Sequence, residues 1–391
     1  MGEYLQKNPI SIYIHWPFCL AKCPYCDFNS HVANSFDHSV WLNAYKKEID
    51  HYRGLIKERY IKSIFFGGGT PSLMDPSIPR GIIELLSSIG LIDNDTEITL
   101  EANPTSVEAK KFEDFRKSGI NRVSIGVQSL IKEDLQKLGR KHNVTEAINA
   151  INLAKNIFDR YSFDLIYARE GHNIQDWQNE LKYAMDLASN HISLYQLTIE
   201  KATPFYNMYR KGELILPESD IAADMYEWTL DYLRGLGYNR YEISNYAKTN
   251  NESRHNLAYW NYDEYIGIGP GAHSRVYLDD AGIYAVMNYH KPEKWLKCLE
   301  DHDHGVQTKH LLTIDEKLEE IIMMGMRLEE GITDTKLLQH IGRGFHEALN
   351  MEEVYKFVSN GFMKFDEKTL KLTDKGLLMH SYVVARICAA S

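Results

Sequence analysis

Three cysteines lie within eight residues of one another, at Cys19, Cys23 and Cys26, with the spacing C-x3-C-x2-C. Thiolates at this spacing can bind one iron–sulfur cluster, and three ligands leave one iron of a [4Fe–4S] cubane open to a further ligand. The alternatives are three unrelated thiols and a zinc site completed by His15 or His31, although structural zinc usually has four ligands in two separated pairs. The spacing therefore predicts a [4Fe–4S] cluster on these three cysteines.

A run of three glycines follows the second predicted strand, in the sequence FGGGTP that includes Gly68, Gly69 and Thr70. Glycine lets a backbone approach a ligand closely, because no Cβ stands in the way. Most glycine runs are simple turns, but this one lies at the carboxyl end of a strand, where parallel α/β sheets place their binding sites. It is therefore a candidate ligand-binding turn.

Polar residues also occur at the ends of later strands. Glu101 ends the third strand, Gln128 ends the fourth, Arg140 follows in a loop, and Asp164 lies within the apolar fifth strand. A carboxylate in an apolar strand is costly to bury unless it is paired, which makes Glu101 and Asp164 better site candidates than a surface acid. The alternative for both carboxylates is a buried ion pair with Arg122 or Arg140.

Six strand–helix units are predicted to position these residues. The strands are apolar on both faces, as buried parallel strands are, and amphipathic helices such as 106–117 and 174–189 separate them. Six units are two fewer than a closed eightfold barrel contains, so we predict an α/β fold with an incomplete (β/α)6 barrel. The predicted strands are 11–16, 62–66, 97–102, 122–127, 161–167 and 191–199.

The chain is predicted to contain three regions. Residues 1–215 form the partial barrel, residues 216–305 close it, and residues 306–391 form a mainly helical domain that is winged-helix-like, because a hairpin pattern lies between helices. Residues 301–391 hold 11 Lys and Arg against 15 Asp and Glu, and the whole chain has a net charge of −10. This acidity argues against nucleic acid as a partner and favours a structural or docking role for the last domain.

The location is predicted from segments that the sequence lacks. The chain starts without the basic segment and apolar run of a signal peptide, and no stretch reaches the roughly 18 apolar residues of a membrane span. Three of the five cysteines are clustered, which indicates metal binding and not a disulfide framework. We therefore predict a cytoplasmic protein without a membrane span.

The cysteine triplet after the first strand and the GGGTP turn after the second resemble the signatures of the radical S-adenosylmethionine superfamily. The resemblance implies that S-adenosylmethionine binds the open iron of the cluster. In the coproporphyrinogen-dehydrogenase branch, the positions matching Tyr13 and Glu101 contact this molecule, and those matching Gln128, Arg140 and Asp164 contact a second one. The loop after the fifth strand is YAREGH where that branch has a Gly–Leu–Pro turn. The sequence therefore does not decide whether one or two molecules of S-adenosylmethionine bind.

Nearly the whole chain resembles two groups within that branch, the oxygen-independent coproporphyrinogen III dehydrogenases and the HemW-type haem chaperones. The dehydrogenases have a fourth cysteine where Phe28 stands, and a long extension where only 18 residues precede Cys19. The segment from His255 to Trp260 matches the HNxxYW motif of the chaperones. Imidazole is a common haem ligand and aromatic side chains suit a porphyrin face, so the three features together favour the chaperones.

The resemblance therefore predicts a haem chaperone that binds haem, the cluster and S-adenosylmethionine, and delivers haem to acceptors such as membrane-bound respiratory proteins. It also implies a homodimer. The alternatives are a coproporphyrinogen III dehydrogenase or another radical S-adenosylmethionine enzyme acting on a tetrapyrrole, and a zinc-binding adaptor. His255 is the candidate haem residue, with a packed histidine as the alternative. Met323, Met324 and Met326 lie at helical spacing, which favours core packing over cofactor contact.

Overall fold

The computed structural model describes residues 8–279 and 281–388. Strands are distributed along most of this chain and are numbered in chain order. They are β1 Ile10–Trp16, β2 Phe18–Cys19, β3 His31–Val32, β4 Ile61–Gly68, β5 Glu97–Ala102, β6 Arg122–Gln128, β7 Arg160–Tyr167, β8 His191–Gln196, β9 Asn239–Glu242, β10 Asn245–Ala247, β11 Tyr265–Ile268, β12 His273–Asp279, β13 Gly282–Asn288, β14 Val306–Leu311, β15 Ile332–Thr333, β16 Met363–Phe365 and β17 Thr369–Leu372.

Six of these strands, β1 and β4 to β8, lie side by side in chain order and pair in parallel. They match the six predicted strands to within three residues at each end. Their apolar residues are buried, for example Ile12, Ile64, Leu100 and Phe163, each with no exposed surface. The prediction of an incomplete (β/α)6 barrel is confirmed.

The sheet continues beyond the six strands at both edges. At one edge β10 and then β9 pair antiparallel after β8. At the other edge β11 pairs in parallel with β1, and β12, β13 and β14 follow antiparallel. Strands from the second half of the chain therefore extend both sides of the partial barrel, and they bring β11 and β12 next to the end of β1.

Helices connect the strands and cover the sheet, and none in the described part of the chain is both long and apolar enough to cross a bilayer. Several begin at a side chain that accepts backbone N–H bonds, such as Asp37 before the first helix. The helices are α1 His38–His51, α2 Arg53–Ile56, α3 Ser77–Ile89, α4 Ser106–Ala109, α5 Phe112–Lys117, α6 Lys132–Lys137, α7 Val144–Ile157, α8 Ile174–Leu187, α9 Pro204–Arg210, α10 Ser219–Gly235, α11 Arg254–Trp260, α12 Pro292–His302, α13 Ile314–Gly325, α14 Asp334–Ile341, α15 Phe345–Ala348, α16 Met351–Ser359, α17 Asp374–Leu377 and α18 His380–Cys388.

The single helix predicted over 106–117 is wrong, because the structure divides it into α4 and α5. The break lies at Lys110 and Lys111. The Lys111 ammonium lies 3.3 Å from each of three carbonyl oxygens in the turn after the glycine run, and this tertiary contact fixes the chain at the break. The cap is Thr105, whose side chain accepts the Glu108 N–H.

The last part of the described chain forms its own small core. A three-stranded sheet in the order β15-β17-β16 packs with α13 to α18 around Ile322, Leu337, Val354, Leu370 and Val383. A short sheet against several helices is the arrangement expected of a winged-helix-like unit, so the predicted mainly helical C-terminal domain is confirmed. The predicted limits at 215/216 and 305/306 stay predictions.

Polar contacts fasten the C-terminal helices to the barrel. Arg275 on β12 forms an ion pair with Glu320 on α13 at 2.5 Å. Further along, Arg327 stacks over the ring of Trp260, 4.4 Å from its centroid, and forms an ion pair with Glu242 at 3.0 Å. These contacts hold the end of α13 over the open side of the barrel.

Candidate functional site

The three cysteines lie in the loop that follows β1. The loop starts at β2 and returns at β3, and the parallel pairing of these two short strands fixes its ends. Within it the Cys26 N–H donates to the Cys23 carbonyl at 3.1 Å. All three cysteines are partly exposed free thiols. The loop therefore presents Cys19, Cys23 and Cys26 from one short segment at the carboxyl edge of the parallel strands.

Two side chains from other loops, Thr70 after β4 and Arg140 after α6, donate hydrogen bonds to these sulfurs. The Thr70 hydroxyl lies 3.3 Å from Cys19 Sγ, and an Arg140 guanidinium nitrogen lies 3.4 Å from Cys23 Sγ. Burial raises the pKa of the Cys19 and Cys26 thiols. Donors and a cation beside sulfur favour thiolates, the form that binds metal.

The donor set fits an iron–sulfur cluster. Cluster ligands bind different irons, so they do not need to converge on one ion. Within residues 8–279 and 281–388, no three His, Cys, Asp or Glu side chains are placed to share a single metal ion. Soft thiolates supported by hydrogen-bond donors are the chemistry that an iron–sulfur cluster requires.

The glycine run packs tightly against the cysteine loop. The Gly69 N–H donates to the Trp16 carbonyl at 2.6 Å, and a Cβ on Gly69 would lie 2.6 Å from the Phe18 carbonyl oxygen. Gly68 has a φ of +108°, which L-residues rarely adopt. The glycines are therefore needed for the turn to approach the cysteine loop as well as for any approach of a ligand.

Two carboxylates face the barrel interior next to this turn. Glu101 on β5 accepts the Gly68 N–H at 3.3 Å, and Asp164 on β7 accepts the Ser124 hydroxyl at 3.3 Å. Burial, and to a smaller extent the negative charge of Asp164, raise the pKa of Glu101 to about 8. Burial raises the pKa of Asp164 to about 6.

The alternative of a close ion pair is not what the structure contains. Arg122 donates to the hydroxyl of Ser162 at 2.8 Å, and no described residue forms an ion pair with Glu101 or Asp164 within 4 Å. Two carboxyls with raised pKa values at the carboxyl edge of a parallel sheet are typical of a functional site.

Arg140 and Gln128 lie between these carboxylates and the cysteine loop. One Arg140 nitrogen donates to both the Asn103 side chain and the Gly126 carbonyl at 2.6 Å. Gln128 has a φ of +71°, and its buried Oε1 has no hydrogen-bond partner among the described residues. A strained residue with an unpaired polar atom is an observation that calls for a ligand.

Tyr13 on β1 faces the same interior. Its hydroxyl lies 3.0 Å from Nδ1 of His15, and Nε2 of His15 lies 2.8 Å from the Asn29 carbonyl. Both ring nitrogens of His15 are therefore occupied. Burial raises the pKa of Tyr13, so its phenol is neutral.

A cavity of about 450 Å³ opens between these strand ends and the C-terminal helices. We call its two sides the strand-end wall and the aromatic wall. The strand-end wall consists of Tyr13, His15, Gly68 and Glu101. The aromatic wall consists of Tyr259, Trp260, Tyr265, His273 and Met324.

Met324 overturns one expectation, because it lines the cavity instead of packing in the core. Its neighbour Met323 is 47% exposed, and only Met326 is fully buried. Phe28, 59% exposed, also borders the cavity, at the position where the dehydrogenases have a fourth cysteine.

His255 lies behind the aromatic wall and does not line the cavity. It is 1% exposed, and its ring stacks on Phe65 with centroids 4.8 Å apart. Its Nδ1 lies 2.8 Å from the Ser63 hydroxyl and its Nε2 lies 3.0 Å from the Tyr259 hydroxyl. Burial lowers the pKa of His255 to about 3. In this structure His255 holds Tyr259 in place from behind.

Two residues around the site had no role in the sequence analysis. Asn103 joins the two sulfur donors, because it accepts from Arg140 and donates to Thr70 at 3.1 Å. Its position two residues after Glu101, directly after the end of β5, was a usable signal. His273 lines the cavity from the start of β12, and the short sequence GAHS around it offered no chemical signal.

The loop after β7, which departs from the Gly–Leu–Pro turn, is fixed by charge. Ala168 has a φ of +53°, and the buried Arg169 beside it forms ion pairs with Glu180 at 2.5 Å and Asp134 at 2.9 Å. A buried and paired arginine therefore stabilises this turn without the glycine and proline of the relatives.

Two family profiles match the chain. The Radical SAM superfamily matches residues 13–184, which include the cysteine loop and strands β4 to β7. The HemN C-terminal domain matches residues 312–379, within the C-terminal helical domain.

Curated relatives cover almost the whole chain. Radical S-adenosyl methionine domain-containing protein 1, mitochondrial, of Danio rerio is 35% identical over 96% of this chain and 86% of its own length. Heme chaperone HemW of Buchnera aphidicola is 37% identical over 94% of this chain and 95% of its own. Heme chaperone HemW of Escherichia coli is 32% identical over 96% and 97%.

Among solved structures, the coproporphyrinogen III oxidase HemN of Escherichia coli, described as a radical SAM enzyme, superposes with a TM-score of 0.80. The comparison covers 98% of this chain and 92% of that one at 20% identity, so it shows a shared fold. The sequence relatives decide the branch, since they reach 30% identity or more over nearly full length. The chain belongs to the HemW-type branch of the radical S-adenosylmethionine superfamily.

Proposed function

We propose that this protein is a haem chaperone that binds a [4Fe–4S] cluster and S-adenosylmethionine on the strand-end side of the cavity and haem against its aromatic wall. Membership of the superfamily implies the cluster and S-adenosylmethionine. The observation that carries the haem proposal is the cavity itself. Its volume of about 450 Å³ and its wall of Tyr259, Trp260 and Tyr265 suit a flat aromatic ligand.

In this proposal Cys19, Cys23 and Cys26 hold the cluster, while Thr70 and Arg140 donate to the sulfurs and stabilise the thiolates. A bound cluster supplies one-electron chemistry to S-adenosylmethionine. The protein's part is to hold these groups in place and to limit the access of water.

The residues for S-adenosylmethionine follow from the strand-end wall. Gly68, Gly69 and Thr70 of the glycine turn lie beside the methionine amino group, and Glu101, which accepts the Gly68 N–H, lies next to the same molecule. Tyr13 lines the same wall with a neutral phenol.

Gln128, Arg140 and Asp164 are further contacts for S-adenosylmethionine. The support is the unpaired Gln128 Oε1 and the raised pKa of Asp164, both facing the region of Glu101. A donor on the ligand would satisfy the buried Gln128 oxygen.

His255 contributes to the haem side through Tyr259. The Nε2 atom of His255 is hydrogen-bonded to the Tyr259 hydroxyl at 3.0 Å. This bond holds the Tyr259 ring in its position at the border of the cavity. The HNxxYW motif is thus a support for the aromatic wall in this proposal.

The partners are haem-accepting proteins, with membrane-bound respiratory proteins as one class, and a second copy of the chain. The support is that bacterial relatives of this chain are known as heme chaperone HemW. The cytoplasmic location stays a prediction, and its support is the clustering of three of the five cysteines, which indicates metal binding and not a disulfide framework.

The test is a metal and haem inventory of one anaerobic preparation. Iron and sulfide should each reach about four per chain, since one [4Fe–4S] cluster contains four of each. Haemin should then bind with a saturable shift of its Soret band. A preparation with a full cluster and no haem binding would contradict the chaperone function, and bound zinc in place of iron would favour the adaptor.

A further inference from the structure

We propose that His273 is the ligand of the haem iron in this cavity. The inference deepens the proposed haem binding and rests on it. It concerns which side chain of this chain supplies the axial nitrogen, and it moves that role from His255 to a histidine on β12.

Two histidines, His15 and His273, line the cavity, and a third, His255, lies behind the aromatic wall. An axial ligand needs a ring nitrogen with a free lone pair that faces the ligand. His15 and His255 each have both ring nitrogens within 3.0 Å of another polar atom. Coordination through either ring would break at least one of these contacts, and His255 would also need to leave a position that is 1% exposed.

His273 meets the requirement. His273 lines the cavity and is accessible to solvent there, and no residue of the described chain forms a hydrogen bond with its ring. Partial burial lowers the pKa of His273, and the charges of Arg275 and His290 lower it further. The imidazole is therefore neutral at pH 7, which is the form that coordinates iron.

The backbone at His273 is held firmly. A Cβ on Gly267 would lie 2.1 Å from the His273 carbonyl oxygen, so β11 and β12 touch at this point. The Gly267 N–H also donates to the Ser274 hydroxyl at 2.9 Å. A ligand on a rigid strand keeps its direction, which metal sites require.

The surroundings suit a macrocycle next to this ring. Gly271 and Ala272 precede His273 and also line the cavity, so the two residues before the imidazole contribute no large side chain of their own. Tyr259 and Trp260 supply aromatic surface, and Met324 supplies a thioether on the C-terminal side. Bond formation here is a donation of the imidazole lone pair to iron, with no change in oxidation state.

The experiment uses the full chain with its cluster reconstituted and ferric haemin as the probe. Haem affinity is measured by Soret titration, and the iron–nitrogen bond is followed by resonance Raman and electron paramagnetic resonance. The variants are His273→Ala and His273→Gln. His290→Ala is the matched control, because it removes a neighbouring imidazole that does not line the cavity.

The expected result is a loss of the imidazole signature in both His273 variants, with haem affinity lowered by about ten-fold or more. Added imidazole should restore the spectrum of His273→Ala. His290→Ala should keep the wild-type spectrum, and His255→Ala should bind haem more weakly while keeping the imidazole signature. The cluster absorption should be unchanged in every variant, which shows that the fold is intact.

Two outcomes would overturn the assignment in different ways. Wild-type haem binding with an unchanged spectrum and affinity in His273→Ala would overturn the ligand and leave the haem function standing. A cluster-loaded wild type that does not bind haemin would overturn the proposed function, and the ligand assignment would fall with it.

Discussion

The two walls of the cavity are built in different ways. On the strand-end wall, Tyr13 and His15 are hydrogen-bonded to each other, His15 also contacts the Asn29 carbonyl, and Glu101 accepts the Gly68 N–H. The glycines there pack against backbone atoms. On the aromatic wall, large rings come from separate segments, and His273 has no hydrogen-bond partner among the described residues. The polar groups of the strand-end wall are thus held by contacts within the protein, whereas the aromatic wall combines held rings with one imidazole, that of His273, that has no such contact.

This difference separates two tasks. A site that holds a cluster needs fixed ligands and donors before the cluster arrives. A site that receives and releases a cargo gains from side chains whose polar groups are free until the cargo binds. Substitutions on the cluster side should therefore change the iron and sulfide content, whereas substitutions on the aromatic wall should change haem binding.

The largest effect is expected from Cys23→Ala. Loss of one of three thiolate ligands should remove the cluster, so iron and sulfide should fall close to zero. Cys298→Ala, a partly buried cysteine far from the loop, is the matched control and should keep the cluster. Haem binding by Cys23→Ala should persist, because the aromatic wall contains no cluster ligand. Loss of haem binding together with the cluster would show that the two walls are not independent.

The next effect is expected from Gly69→Ala. The added methyl group would lie 2.6 Å from the Phe18 carbonyl oxygen, so the glycine turn and the cysteine loop must separate. We expect a loss of about 1–3 kcal/mol in the free energy of unfolding, with reduced iron loading. Gly54→Ala has nothing within 4 Å of its added Cβ and should be neutral or stabilising. Equal effects of the two substitutions in chemical unfolding would contradict this account of the turn.

His255→Ala should destabilise the fold more than it changes the cluster. It empties a buried position and leaves the hydroxyls of Ser63 and Tyr259 without their partner. We expect a loss of about 3 kcal/mol in the free energy of unfolding and weaker haem binding through the freed Tyr259 ring. His346→Ala, on an exposed histidine, should change stability by less than about 0.5 kcal/mol. A stable His255→Ala variant without the imidazole signature of bound haem would restore His255 as the ligand.

A pH dependence of stability arises from Glu101. Its pKa is raised to about 8 in the folded protein, against an ordinary value of 4.5, so between these values the folded state holds a proton that the unfolded state has lost. Stability is therefore highest below this interval and falls as the pH rises through it, by at most about 1.4 kcal/mol per pH unit for one group.

Glu101→Gln should flatten this slope in chemical unfolding of the cluster-free protein between pH 5 and pH 8. It should also weaken S-adenosylmethionine binding to the cluster-loaded protein. Glu133→Gln on the surface of α6 is the control and should leave both measurements unchanged. An unaltered slope in Glu101→Gln would mean that this carboxyl is already ionised in the folded state.

The cysteine loop and the strand-end wall could largely be predicted from the sequence because their residues occur in short local patterns. A cysteine triplet, a glycine run and a carboxylate at a strand end each have a chemical reason that is visible within a few residues. Six apolar runs likewise predicted six parallel strands, since strands buried on both faces need apolar residues throughout.

The aromatic wall could not be predicted in the same way. Trp260, His273 and Met324 are far apart in the chain, and only the pairing of β11 with β1 and the packing of α13 bring them together. The pattern around His255 drew attention to a histidine whose nitrogens are already bonded. The break between α4 and α5 escaped prediction for a similar reason, because it depends on the contact of Lys111 with a distant turn.

The most direct test of the central claim is one incubation of the cluster-reconstituted protein with coproporphyrinogen III, S-adenosylmethionine and a reductant, with haem titrated on the same preparation. We predict saturable haem binding and no protoporphyrinogen. Formation of protoporphyrinogen together with 5′-deoxyadenosine, dependent on the added coproporphyrinogen, would contradict the account and identify the cavity as the active site of a decarboxylating enzyme.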